Sequence, residues 1–440
     1  MADAPIALRS ADLDEPLAPL PASERSIVMD ALRGFAVLGI LAMNIPGFAL
    51  PEADFFDPRV GGYEGADRAV WWFERLAIEM KMQSIFSMLF GAGLVVLSER
   101  AARSGRSLAG LFYRRVTILA AMGLLHAYLL WHGDILWTYA VCGALIYPLR
   151  RLPNSWLLTL GILLFIIGAL ASSGVGAAIW FVRSNAESAQ SLLDSGGVPD
   201  NLGKEMIETW HSMREDFAPT PEQLDAEARG NLGSFADVVA QRAETAFSLQ
   251  LGIPFWMFSI WRFSGYMLVG IALMRWGVFS GALSSRAYAW MMAVGYVIGF
   301  PIVYFGARWS ETTGFDFVFT FLTMWQGNYV GSAFVALGHI GALILLFRSP
   351  ATGWIVRPLA ATGRMALTNY LTQSLICALI FFGWGFGQWG RLTRTELAGV
   401  VVGIWTVQIL WSMWWLARFR FGPMEWLWRT LTYGRAPEMR

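Results

Sequence analysis

Charge is scarce in this chain. Asp, Glu, Lys and Arg make up 15% of its 440 residues, against about 25% in soluble proteins. A soluble domain could not cover its surface with so little. Cysteine is nearly absent as well: Cys142 and Cys377 are the only two, both inside apolar runs. That excludes a disulfide framework or a cysteine zinc site, and both read as small packing residues. The net charge is +1, and no dense basic run is interleaved with aromatics, so no nucleic-acid partner is expected. Residues 1–25 mix Pro, Ala and acids without an apolar core. They read as a disordered cytoplasmic tail and not as a cleaved signal peptide. A phosphate loop is missing too. The glycine-bearing stretch Phe86–Gly93 is not followed by Lys and Ser/Thr in the required pattern.

What the chain has in abundance is apolar surface. It is 56% hydrophobic with 22 tryptophans and a mean hydropathy of +0.48, and membrane interfaces collect Trp. The expected fold class is all-α, a polytopic integral membrane helical bundle. Apolar runs near 20 residues fall at 27–48, 76–98, 115–131, 134–150, 156–182, 253–275, 287–307, 326–347, 358–383 and 397–417. With ten spans, every arginine-rich turn lands on one side. These turns hold Arg100 to Arg115, Arg150 and Arg151, Arg275 and Arg286, Arg348 to Arg364, and Arg418 to Arg435. The positive-inside rule then places both termini in the cytoplasm. The opposite side receives acidic loops. The expected organisation is a five-helix half over 26–182, an extracytoplasmic amphipathic insert over 183–250, and a second five-helix half over 251–440. The last half ends in an interfacial helix at Gly422–Arg429 with Trp anchors.

Several polar groups lie within these apolar runs, where each Asp or Arg near a helix centre costs about 2.5–3.5 kcal/mol. Asp30 and Arg33 share a helix face in the first span. Asn44 follows Arg33 after roughly 1100° of rotation, so it returns to nearly the same face about 16 Å further on. The pair is a structural ion pair, or Arg33 binds an anionic group that Asp30 orients. His132-Gly133-Asp134 occupies a short turn on the outer side. Asp134 either fixes the His132 tautomer for general base catalysis or simply caps the following helix. Arg262 sits near mid-membrane and needs an acid, such as Asp30 or Glu79, a ligand, or a wet cavity. Arg364 opens the ninth span. There Asn369 and Gln373, four residues apart, either glue helices together or line a cavity. His126 and His339 are single intramembrane histidines, of the kind that often serve packing. No metal site is expected.

Taken together, these segments resemble one family. Arg25-Ser26-Ile27, Asp30-Ala31-Leu32-Arg33-Gly34, Asn44, Phe86–Gly93, Gly133-Asp134-Ile135-Leu136, Gly363-Arg364 with Thr368-Asn369-Tyr370 and Gln373-Ser374, and Gly422–Arg429 look like the YeiB-like bacterial membrane proteins, domain of unknown function 418. The N-terminal half is also distantly similar to transmembrane acyltransferases, namely heparan-α-glucosaminide N-acetyltransferase and the acyltransferase-3 group. That likeness implies transfer of an acyl group from a cytoplasmic acyl-CoA to an extracytoplasmic sugar hydroxyl or amine. Acyltransferase-3 proteins place a His eleven residues after the Arg, where this chain has Asn44. The acetyltransferase relatives carry Asn there and a catalytic His in the loop that follows, but residues 45–69 contain no His.

The leading expectation, which rests on that resemblance, is a bacterial inner-membrane acyltransferase-like protein with acyl-CoA or acetyl-CoA as co-substrate. His132 and Asp134 would be its catalytic pair. Asp30, Arg33, Asn44, Arg262, Arg364, Asn369 and Gln373 would bind donor or acceptor. Expected partners are membrane lipids and a lipid-like or sugar acceptor. The alternatives are a transporter or flippase for an amphiphilic or acyl-bearing solute, and a non-catalytic lipid-binding protein, expected as a homodimer.

Overall fold

The computed structural model describes residues 26–105, 107–217 and 219–440; the tail expected over 1–25 lies outside them. Among the described residues every regular element is helical. The first half comprises α1 (Ile27–Ala49), α2 (Ala66–Phe73), α3 (Lys81–Arg103), α4 (Ala109–Leu129), α5 (Leu136–Ile146) and α6 (Asn154–Asp194). Next come α7 (Asn201–Phe217), α8 (Pro221–Asn231) and α9 (Phe235–Leu251). The second half holds α10 (Ile260–Arg275), α11 (Ser285–Thr312), α12 (Phe317–Phe319), α13 (Gln326–Phe347), α14 (Gly353–Arg364), α15 (Ala366–Phe381), α16 (Arg394–Leu416) and α17 (Pro423–Tyr433). Among the described residues, seven helical runs are long and apolar enough to cross a bilayer: 27–49, 66–103, 154–194, 235–275, 285–312, 317–347 and 394–416. The other three apolar runs fall on α4, α5 and the α14–α15 pair.

Local chemistry sets the helix ends. Ser26 accepts the Met29 N–H at the start of α1, and Asp30 lies in the first turn, where the helix dipole favours an anion. The run expected as one span over 358–383 breaks at Met365 into α14 and α15. The freed N–H groups of Leu367 and Thr368 donate to Glu425 of α17, which also accepts the Thr368 hydroxyl. The C-terminal motif therefore caps a membrane helix far away in sequence.

Two glycine crossings bring backbones into contact at the centre. A Cβ on Gly34 would sit 1.9 Å from the Leu359 carbonyl oxygen, and one on Gly363 would sit 1.8 Å from that of Asp30. Gly91 and Gly270 stand in the same relation to Met267 and Met88, at 2.0 Å each. Without a hydrophobic drive between helices in lipid, this closeness supplies the packing. The crossings hold α1 on α14 and α3 on α10, so the two expected halves interleave. The expected boundary at 183 falls inside the unbroken α6. Outward faces of α6, α11 and α16 expose large apolar groups, including Leu170, Val297 and Leu410, as a lipid-facing surface requires.

Candidate functional site

The site begins with a broken helix. α2 runs into a π-helical turn, Glu74–Ile78. The chain then stretches at Glu79 and turns at Met80, whose φ is 63°, before α3 starts. A non-glycine residue with positive φ is uncommon, and irregular backbone at membrane depth needs internal partners. Three side chains supply them. Lys81 Nζ donates to the Arg75 carbonyl and to Asn328 Oδ1. His339 Nε2 lies 2.9 Å from the Ala77 carbonyl oxygen. Arg262 donates to the Met80 carbonyl at 3.0 Å, Ser84 Oγ at 3.3 Å and Gln83 Oε1 at 3.2 Å. Arg262 is thus held through its two terminal nitrogens by backbone and neutral groups and not by an acid, while its Nε is buried without a partner.

Beside the break lies a cavity of about 700 Å³. Two further π-helical turns border it, Phe255–Ser259 through Phe258 and Ser259, and Thr320–Trp325 through Phe321 and Trp325. Each such turn spreads the helix by one residue, and π-turns collect at functional sites. The exposed Glu52, Phe55 and Leu249 are on the cavity rim, at the end opposite the arginine-rich turns. Its lining includes the aromatic Phe258, Phe263, Phe321 and Trp325 and the charged Asp54, Glu74, Arg75, Glu79, Arg262 and Arg394. Arg75 pairs with Glu79 and Arg394 with Asp54, all buried. Burial nevertheless raises the Asp54 carboxyl to about 6, outweighing the pull of Arg394. Glu74 has no ion-pair or hydrogen-bond partner among the described residues. Neither has the Asn44 side chain.

Of the sequence-derived candidates, Asn44, His132, Asp134 and Arg262 come together here. The expected pairing of His132 with Asp134 is corrected. Asp134 Oδ2 lies 2.8 Å from His126 Nδ1, and its Oδ1 accepts the Trp137 N–H at 2.8 Å. Both partners come from the helices flanking the turn, α4 and α5, and no hydrogen bond joins His132 to Asp134. His132 Nδ1 is buried without a partner. Burial first, and the Arg242 charge second, push its imidazole down to about 3, so it stays neutral. The Gln250 amide of α9 donates to the carbonyls of His132 and Asp134 and pins the turn.

The remaining candidates lie elsewhere. Asp30 and Arg33 form an ion pair at 2.8 Å, on the far side of residues 36–42 of α1, all of which are buried. No open polar line along α1 joins Arg33 to Asn44, because those residues are packed into the core. Arg364 donates to the Arg420 carbonyl at 3.3 Å. Asn369 bonds the Thr362 carbonyl and Ser412. Gln373 bonds Gln408 and the Val37 carbonyl. These amides glue helices and line no part of this cavity. The sequence reading missed Glu74, Arg75, Lys81 and Arg394 as site residues. Its signal was four charges packed into residues 74–81, which a window for apolar runs treats as a span edge.

Residues 273–435 match the family described as "Protein of unknown function (DUF418)". The chain is 31% identical to "Uncharacterized protein YeiB" of Escherichia coli (strain K12), over 93% of its own length and 96% of that relative. It is 26% identical to "Uncharacterized protein YxaH" of Bacillus subtilis (strain 168), over 95% and 96%. No solved structure matches. The chain belongs to the YeiB-like DUF418 family.

Proposed function

We propose that the chain is an acyltransferase-like enzyme of a bacterial inner membrane with both termini in the cytoplasm. In this reading it moves an acyl group from a cytoplasmic acyl-CoA or acetyl-CoA to an extracytoplasmic hydroxyl or amine acceptor seated in the acid-rich cavity, and the packed stretch 36–42 of α1 moves aside to admit the thioester. The observation that carries the reading is that one cavity is lined by the Glu74 carboxylate and the Asn44 amide, neither with a side-chain partner among the described residues, together with further charged and aromatic side chains. Such a mixed lining suits an amphiphilic acceptor, a lipid-like molecule or a sugar. Glu74 takes the proton of the acceptor O–H or N–H. The acceptor lone pair attacks the thioester carbonyl carbon. The C–S bond breaks, and the thiol leaves with a proton. The Asn44 amide donates to the oxygen on which charge develops. His132, neutral and without its expected carboxylate, serves as a hydrogen-bonding group and not as the base.

Incubation of purified protein with labelled acetyl-CoA and candidate sugar or lipid acceptors tests this. Transfer that disappears in Glu74→Gln, with the fold intact, is the expected result. No transfer to any acceptor, or full transfer in Glu74→Gln, overturns it.

A second reading is a transporter or flippase for an amphiphile. It is favoured by the broken helix and by the packed stretch of α1 that separates the cavity from the arginine-rich end, because alternating access needs no standing passage. Flux into proteoliposomes without chemical change would select it.

A further inference from the structure

The C-terminal motif contributes a second polar cluster, at the arginine-rich end. Arg115 of α4 lays its guanidinium over the Trp428 ring, 3.8 Å from the centroid. Trp428 Nε1–H donates to the Arg115 carbonyl at 3.0 Å, which fixes α17 against α4. Arg429 lies over Phe421 at 4.6 Å. Neither guanidinium has a hydrogen-bond or ion-pair partner among the described residues. Each has one face against a ring, so its N–H edges are what remain to bind.

The nearby negative charges are engaged elsewhere. Glu425 holds the start of α15, and Asp30 holds Arg33. Burial first, and the Arg115 charge second, push Arg429 down to about 10. Arg429 directly follows Trp428 in α17, and Arg115 lies on the Trp428 ring, so the two partly buried guanidiniums belong to one cluster; their like charges oppose each other, and an anion between them would relieve that.

We propose that Arg115 and Arg429 form a binding site for a phosphate-bearing anion, one phosphate group bridging the free edges of both guanidiniums. Planar forks on two helices suit phosphate oxygens. The phosphate belongs to a lipid headgroup or to a soluble phosphorylated molecule. The site is separate from the acid-rich cavity and does not depend on acyl transfer there.

The test is thermal unfolding of the full chain in neutral detergent, alone, with inorganic pyrophosphate, and with phosphatidylglycerol in mixed micelles. Wild type is compared with Arg115→Gln, Arg429→Gln and, as a control, Arg418→Gln, whose side chain stacks on Trp414 at the same end. A stabilising shift in wild type and the control that is lost in both site variants supports the proposal. A shift with pyrophosphate assigns a soluble ligand, and a shift with phosphatidylglycerol alone assigns a lipid. No shift with either probe, or the same shift in the site variants, overturns it. Should a Gln variant fail to fold, Arg429→Lys decides: affinity for the effective probe should fall about tenfold as the fork is lost, and unchanged affinity overturns the assignment. Because binding is read without turnover, failure here is distinct from failure of the transfer assay.

Discussion

Asp134 gives its carboxylate to His126 and not to His132, two residues away. The His126–Asp134 distance is 2.8 Å, with side chains 1% and 0% exposed. Both carboxylate oxygens are occupied, by the imidazole and by the Trp137 N–H, so Asp134 is a fastener of the α4–α5 turn. Removing Asp134 strands the His126 ring nitrogen and the Trp137 N–H, each costing about 1–3 kcal/mol when buried without a partner. Asp134→Ala should lower the unfolding temperature sharply. His132→Ala, which breaks no side-chain hydrogen bond, should cost about 1 kcal/mol. Equal losses in the two variants, measured by thermal unfolding in detergent, would refute this division.

The glycines of the helix crossings should differ from those that face open space. Gly34→Ala and Gly363→Ala drive a methyl into a carbonyl oxygen less than 2 Å away, and overpacking of backbone against backbone should cost about 3 kcal/mol or more. Gly93 meets nothing within 4 Å. Gly93→Ala in the same α3 should stabilise by about 0.5–1 kcal/mol through helix propensity. Yield and melting temperature of the three variants check this.

Asp54 and Glu227 should each withdraw stability as pH rises from mildly acidic to neutral, against an opposite contribution from His132, whose imidazole burial pushes down to about 3. Burial raises Asp54 from 3.8 to about 6 and Glu227 of the insert from 4.5 to about 7. Across that window the folded chain holds protons that the unfolded chain has released. The stabilisation is therefore fully present below the unfolded values and is lost as pH passes the folded ones. Melting curves across this range should show that slope, and Asp54→Asn or Glu227→Gln should flatten it. A slope left unchanged by both substitutions would reject the assignment.

The broken helix depends on Lys81. Lys81→Met strands the Arg75 carbonyl and the Asn328 amide oxygen, each worth about 1–3 kcal/mol when buried without a partner. Adding Asn328→Leu removes one of the stranded groups and should restore part of the loss. A double variant no better than the single one would contradict that account.

The bundle was legible because its signal is local. Twenty-residue apolar runs, scarce charge and the placement of arginine-rich turns need no tertiary knowledge. The split at Met365 was not legible, since Glu425, the residue that makes it tolerable, lies 57 and 58 residues further along the chain from Thr368 and Leu367. The candidate site was half legible. Asn44, His132, Asp134 and Arg262 drew notice as polar groups in oily surroundings, and they do share a cavity. Their partners could not be read, because groups three or eight residues apart, such as the Trp137 backbone N–H and the His126 ring about Asp134, compete on equal terms until the turn is folded.

Composition and periodicity by themselves made this chain a membrane helical bundle and told where most helices run, because burying apolar surface in lipid is a property of each segment alone. Which charges face each other was decided only in three dimensions. Arg262 is held by the carbonyl and side chains of a broken helix, Arg33 is closed off by Asp30, and Glu74 is left open to a cavity. In a low-dielectric interior a charge is set by its nearest few neighbours, and those neighbours come from helices that are distant in the chain.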